Sequence, residues 1–282
     1  IISDAFTGHY QRININTLGN SVSFGTGATA QAGNTSCSSL TRGINAGDQP
    51  GIDTIESIEF ASEGNSADFG NLTVGRVAAG SFSSQTRGIF GGGEGNAEGV
   101  VDTIDYVTIA TAGNATDFGD LSGARHQLEG CGSSTRGVFG GGTPKTDTME
   151  YVTIASTGDV TDFGNLTVSR TGTSSASSAT RGLFGGGATP SVSNVVDYIT
   201  IASTGDASDF GDLTDARSML TGTSNATRAV FSGGADPSAS NIMDYVTIGS
   251  TGNAADFGDL QATTGSSGGL GSCSDSHGGL QN

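Results

Sequence analysis

A short phrase, ADFGNL around Phe69, returns as TDFGDL at Phe118, TDFGNL at Phe163, SDFGDL at Phe210 and ADFGDL at Phe257, with a weaker copy, VSFGTG, at Phe24. The spacings are 45, 49, 45, 47 and 47 residues. A second phrase keeps the same beat: TRGIN at Thr41, TRGIF at Thr86, TRGVF at Thr135, TRGLF at Thr180, TRAVF at Thr227, and a remnant at Ser276 in DSHGGL. A repeat of this length constrains the fold more than any local pattern, because each unit must be one supersecondary block that buries its apolar face against its neighbours.

The unit at 170–213 shows what the block is. A run of small residues (171–178) leads to a turn at Ala179–Thr180, and RGLFGGG follows as a second strand that ends in glycines. A variable connection, ATPSVSN, precedes VVDYITIAS, where polar and apolar β-formers alternate. STGD is a hairpin turn, with Gly205 beside Asp206, and ASDFGDL is the fourth strand. Four antiparallel strands per repeat predict a β-propeller blade. The 48 glycines agree, since they disfavour helix interiors, and no long segment carries apolar residues at helical spacing.

The gradient of side-chain size points the same way. The first strands read GSFSS, EGCGSS, TGTSSASS, LTGTSN and SSGGLGSCS, as expected of strands that converge on a central channel. Large residues come later: Phe90, Phe139, Phe184 and Phe231 in the second strand, and Tyr106, Tyr151, Tyr198 and Tyr245 in the third. The carboxyl end stops after two strands of a unit, and the amino end opens with HYQRINI and SVSFG, which fit strands three and four. The fold class predicted is all-β: one six-bladed propeller domain whose closing blade is shared between the two ends. The blades fall at 28–72, 76–121, 125–166, 170–213, 217–260, and 264–282 plus 1–25.

The triple glycine of TRGVFGGG could be a phosphate cradle. Such a loop follows a strand, opens a helix and occurs once, whereas this one recurs in almost every unit with no helix pattern and no Lys–Ser/Thr pair behind it. The glycines are expected to end a strand where a loop departs. Arginine follows the repeat too. Arg42, Arg87, Arg136, Arg181 and Arg228 hold one position and Arg76, Arg125, Arg170 and Arg217 another; only Arg12 and Lys145 stand outside these sets. Both rings are expected to tie adjacent blades by pairing with acids or blade carbonyls, where bidentate geometry suits Arg. The acids marked by the repeat are Asp68, Asp117, Asp162, Asp209 and Asp256, with Asp120, Asp212 and Asp259 after the phenylalanine. Phe69, Phe118, Phe163, Phe210 and Phe257 are predicted inter-blade packing residues.

A net charge of −17 with a single lysine argues against nucleic acid, which needs clustered cations, and fits a salty extracellular setting. No apolar run approaches the length of a membrane span. The opening at Ile1, without a charged and apolar leader, is expected of a processed product or a segment of a longer protein. Cys37, Cys131 and Cys273 lack zinc-site spacing and are expected to be small buried residues at one repeat position. His9, His126 and His277 occupy different repeat positions, so nothing marks a catalytic triad, and DFGDL lacks the alternating ligands of a calcium loop. No catalytic residue, metal or cofactor is predicted.

What differs between units lies between the glycines and the tyrosine strand: GEGNAEGVVDTI, TPKTDTM, ATPSVSNVV and ADPSASNIM. Loops that vary on an invariant frame predict a recognition surface. Its candidate residues are Glu94, Asn96, Glu98, Thr143, Pro144, Lys145, Thr146, Thr189, Ser191, Asp236 and Ser238. Unconstrained drift is the alternative account of the same variation.

A glycine pair ending a strand, a loop, a Tyr-bearing strand, a turn, a ring-bearing fourth strand and then an Arg, as in GLFGGG…VVDYITIASTGDASDFGDLTDAR, resembles the kelch repeat over nearly the whole chain. Phe210 and its equivalents stand where kelch blades carry Trp, and Tyr198 precedes Phe210 by twelve residues, so the likeness is one of blade architecture. The kelch likeness also brings in galactose oxidase, whose Tyr, Cys and His copper constellation no stretch here reproduces. The wording TRGxFGGG with DYxTIASTGNATDFGDL is similar to degenerate kelch-like arrays in virion proteins of marine and cyanobacterial bacteriophages. That resemblance implies a tail-fibre, baseplate or surface-decoration component, located on an extracellular particle, whose partners are other virion proteins or a host-surface glycan or protein, with homo-oligomerisation within a larger assembly. A secreted carbohydrate-active enzyme and a bacterial surface adhesin are the alternatives on the same scaffold.

Overall fold

The computed structural model describes residues 1–3, 8–27, 32–264 and 271–281. Five four-stranded antiparallel sheets follow one another at 35–71, 80–120, 129–170, 174–212 and 221–264, each with its strands in chain order from the inside outward. A sixth, built from both ends of the chain, closes a six-bladed β-propeller. The starts of the predicted first and closing blade ranges, at 28–31 and 265–270, lie outside the described residues.

The closing blade differs from the expected two-plus-two division. Its second, third and fourth strands, Ile2–Ser3, His9–Arg12 and Val22–Thr26, all come from the amino end. The carboxyl end supplies only the innermost strand, through the Ile2–Ser272 bridge and the Ser3 amide bond to Gly271 O at 2.9 Å. The remnant DSHGGL, expected as strand two, forms instead a 3₁₀ turn, Gly278–Leu280, against the inner strands of the second, third and fourth blades. The amino end already holds the ladder that this segment would need.

Among the described residues the apolar side chains form several clusters rather than one core. Apolar side chains gather between neighbouring blades: Phe82, Ile89, Ile104, Phe118 and Leu121 of the second blade pack with Leu128, Phe139, Val152 and Ile154 of the third. Strand alternation sorts the rest, so that in TIDYVT the residues Ile104 and Val107 are buried while Thr108 is exposed.

Open sheet edges are a hazard of any array of separate sheets, and both edges of each blade are covered. On the outer edge, the turn before the fourth strand of the next blade docks alongside: the Gly113 amide donates to Phe69 O at 2.7 Å and the Ala115 amide to Asn71 O at 2.8 Å. The same bond joins Gly158 to Phe118, Gly205 to Phe163, Gly252 to Phe210 and Gly19 to Phe257. The glycine of DFG exists for this approach, since a Cβ at Gly119 would lie 2.4 Å from the Gly158 carbonyl carbon, at a φ of +148°. On the inner edge, serine hydroxyls do the work: Ser83 Oγ donates to Ser38 O, Ser177 Oγ to Gly132 O, Ser224 Oγ to Ser177 O, Ser272 Oγ to Gly222 O and Ser38 Oγ to Ser274 O. The polar inner strands thus satisfy carbonyls that no strand reaches.

Candidate functional site: the loop face and the central channel

The repeated cations lie between blades. Arg42, Arg87, Arg136, Arg181 and Arg228 each donate to a carbonyl of the following blade, respectively Ile109, Ile154, Ile201, Ile248 and Ile15, at 2.7 to 3.1 Å. Four of them also lie over the tyrosine of their own blade, 4.3 to 4.5 Å from the ring centre. Each of those tyrosines meets the DFG phenylalanine edge-on, as Tyr106 meets Phe118 at 6.0 Å. Arg12 pairs with Glu63 at 2.5 Å.

The second ring is buried. Arg76, Arg125, Arg170 and Arg217 pair with Asp105, Glu150, Asp197 and Asp244 at 2.5 to 2.9 Å, and none of the eight side chains is more than 6% exposed. These partners are third-strand acids, a correction to the expectation drawn from the DFG aspartates. Because Phe118 and its equivalents point inward, the preceding Asp68, Asp117, Asp162, Asp209 and Asp256 face solvent; Asp120 and Asp259 also join no ion pair among the described residues, nor does Asp212. The visible signal was the acid before each tyrosine strand centre, in DTIDYV, DTMEYV and NVVDYI. At the first blade the acid is Glu56, which accepts from Tyr10 Oη and Ser66 Oγ.

The three cysteines are free and buried, with burial pushing all three thiols up. Each fills the space beside a glycine of the next blade. A Cβ at Gly88 would lie 2.4 Å from Cys37 Sγ, one at Gly182 2.4 Å from Cys131 Sγ, and one at Gly43 2.7 Å from Cys273 Sγ. The second blade carries Phe82 at this position, and a Cβ at Gly137 would lie 1.9 Å from its ring. The fourth blade carries Ala176 there, and the next blade has Ala229 in place of glycine.

Every varying connection emerges at one face, the face where one blade crosses to the next. Each is pinned there by a backbone bridge to the crossing: Val77 with Glu94, His126 with Thr143, Thr171 with Ala188 and Ser218 with Ala235. Glu94, Asn96, Glu98, Pro144, Lys145, Ser191, Asp236 and Ser238 are exposed, and Thr143, Thr146 and Thr189 are half-buried. Lys145 Nζ reaches Thr189 O, joining two neighbouring connections. In TRGVFGGG the glycines mark this exit: Gly141 and Gly142 have φ of +69° and +121°, and the Gly142 amide donates to Arg170 O at 3.0 Å.

The channel opens on the same face. Its mouth is ringed by backbone bonds from Ala78 to Gly33 O, Gln127 to Ala78 O, Gly172 to Gln127 O and Met219 to Gly172 O. Ala78, Gln127 and Met219 hold φ of 54° to 57°, a left-handed conformation that costs about 1–2 kcal/mol per residue. Sequence reasoning missed these residues, because nothing in the side chains announces them. Inside, inner-strand hydroxyls and Glu129 line a cavity of about 70 Å³. Burial pushes the Glu129 carboxyl up to about 8, against the lowering effect of hydrogen bonds from the Gly130 amide and Ser175 Oγ. At the opposite end the carboxyl-terminal segment closes the channel. His277 Nε2 bonds Ser38 O and Ser83 Oγ, its Nδ1 accepts from the Gly279 amide, and burial holds the ring down at about 4.

Among the described residues, no three His, Cys, Asp or Glu side chains gather where they could hold a metal ion, and no helix is long and apolar enough to cross a membrane. His9 is exposed on the closing blade and His126 stands 3.7 Å from Glu94 on the loop face, both apart from the channel-bound His277. No protein-family model and no curated protein matches the chain.

Proposed function

We propose that this chain is a non-enzymatic recognition module, a rigid acidic propeller that presents variable connections from one face to a host-surface glycan or to a neighbouring protein. One observation carries the proposal. The repeated arginines and the glycine of DFG are consumed by contacts between blades, whereas the connections that vary lie together on one face, each pinned at its base by a backbone bridge. The setting proposed is a bacteriophage particle, as a tail-fibre, baseplate or decoration component, on the strength of the kelch-like repeat wording; assembly with other virion proteins belongs to the same proposal. Broad exposed loops around a narrow mouth suit surface recognition better than turnover, which calls for a deep, asymmetric pocket with converging titratable groups.

The test is binding of the purified chain to arrayed bacterial surface polysaccharides, with release of reducing ends followed in parallel. Binding without release is expected. Turnover of any arrayed glycan by the chain alone would overturn the proposal in favour of a carbohydrate-active enzyme.

A further inference from the structure

The third blade breaks the repeat at one inward position. Where the inner strand meets the end of the second strand, the first, second, fourth and fifth blades place Thr35, Gly80, Ser174 and Thr221, all small. The third places Glu129 there, opposite Gly140. Glu129 borders both the channel cavity of about 70 Å³ and a pocket of about 20 Å³ just beneath the mouth, beside Gln127, Gly172 and Met219. It therefore stands at the neck of the channel. Among the described residues, no Lys, Arg, Asp or second Glu borders either space. The other titratable groups of the wall, Cys37, Cys131, Cys273 and His277, are neutral at pH 7, because burial raises the thiols and lowers the imidazole.

The hydroxyls around it have committed their hydrogens elsewhere. Ser38, Ser83, Ser177, Ser224 and Ser272 each donate to a carbonyl of an adjoining inner strand. Ser81 Oγ donates to Ser36 O, Thr35 Oγ1 to Ser81 Oγ and Thr221 Oγ1 to Ser272 Oγ. Ser175 shares one hydrogen between Gly130 O at 2.7 Å and Glu129 Oε2 at 3.5 Å, so the carboxylate is weakly held. What these side chains still offer the channel is oxygen lone pairs. Such a wall suits a cation. One carboxylate among neutral oxygens balances one positive charge, and a second, unbalanced charge would be costly in a buried site. We propose that the neck of the channel binds a monovalent cation of sodium or potassium size, held by the Glu129 carboxylate and the hydroxyl oxygens of the inner strands. The cation replaces the proton on Glu129, so one proton leaves for each cation that enters. The inference is independent of the proposed function.

The experiment melts the chain in sodium, potassium and tetramethylammonium chloride at equal ionic strength, so that screening is the same in all three. At about pH 9 the chain should melt at least about 2 °C higher in sodium or potassium than in tetramethylammonium, which is too bulky for the neck. At about pH 6 the difference should shrink, because the proton competes for the same carboxylate. Glu129→Gln should abolish it at both. A second measurement needs no variant: adding the favoured salt to the unbuffered chain near pH 7 should release about one proton per molecule. Equal melting in all three salts at about pH 9, a salt difference that persists in Glu129→Gln, or no proton release would each overturn the proposal. A response to calcium with none to sodium or potassium would overturn it as well.

Discussion

Arg170 shows how much one repeat residue carries. Its guanidinium is fully buried, donates to Gly186 O, Val195 O and Asp197, and is flanked by Thr167, whose hydroxyl donates to the same carboxylate at 2.6 Å. Removing one member of such a pair leaves the other charge uncompensated, so Arg170→Met should cost about 3–5 kcal/mol in chemical denaturation. Arg170→Met with Asp197→Asn should recover part of that loss, and a single-variant cost under about 1 kcal/mol would contradict the assignment. Glu129 behaves in the opposite sense. Its folded-state carboxyl titrates at about 8, above its ordinary value, so the folded chain holds the proton more tightly than the unfolded one. The stability this contributes is complete below the ordinary value near pH 4.5 and is lost as pH rises through about 8. Glu129→Gln should therefore flatten the fall in melting temperature between pH 5 and about 9, and an unchanged slope would sink the claim. The arginine rings were legible in the sequence because they repeat. Glu129 was not, because it occurs in one blade and owes its environment to five others.

At the scale of the strand, the pairing of inner-strand and second-strand residues across a blade boundary is the sharpest relation in the molecule. Cys131 with Gly182 and Ala176 with Ala229 are two solutions of one volume problem. Gly182→Ala should destabilise by about 1–3 kcal/mol, and adding Cys131→Ala should remove most of that penalty, imitating the natural pair one blade further on. Additive costs in the double-variant cycle would contradict the contact. Strand order and the small inner strands could be read from the repeat, since each unit states its own alternation and turns. The partners of Arg76, Arg125, Arg170 and Arg217 could not, because the eye falls on the DFG aspartates that recur in five of the six units. Choosing between those and the acid before the tyrosine requires knowing which way the phenylalanine points. The docking of the turn before each fourth strand on the preceding blade was hidden for a related reason: Asn114 accepts from the Asn71 amide across a boundary that a repeat-by-repeat reading treats as the end of a unit.

At the scale of the ring, separate interfaces replace one core, so stability depends on closure. Closure rests on the inner strand at Gly271 and Ser272 against Ile2–Ser3, on Arg228 reaching Ile15, and on the carboxyl-terminal turn seated among Ser83, Gly132 and Ser178. Six blades and the sharing of the last one were legible from the spacing of two phrases. The division of that blade was not, because DSHGGL imitates a second strand while the ladder is held by Ile2–Ser3. The same frame separates two faces, one of short regular turns and one of connections that differ blade by blade. On the proposed function, binding belongs to the second face alone. Two variants test it against the best glycan from the array. In one, Pro144, Lys145, Ser191, Asp236 and Ser238 on the loop face are all replaced by glycine; in the other, Leu40, Ser134 and Ala179 on the opposite face are. Equilibrium binding should weaken at least about tenfold in the first, about 1.4 kcal/mol, and stay unchanged in the second, with both melting as the parent does. Affinity lost only in the second variant, or in neither, would contradict the account.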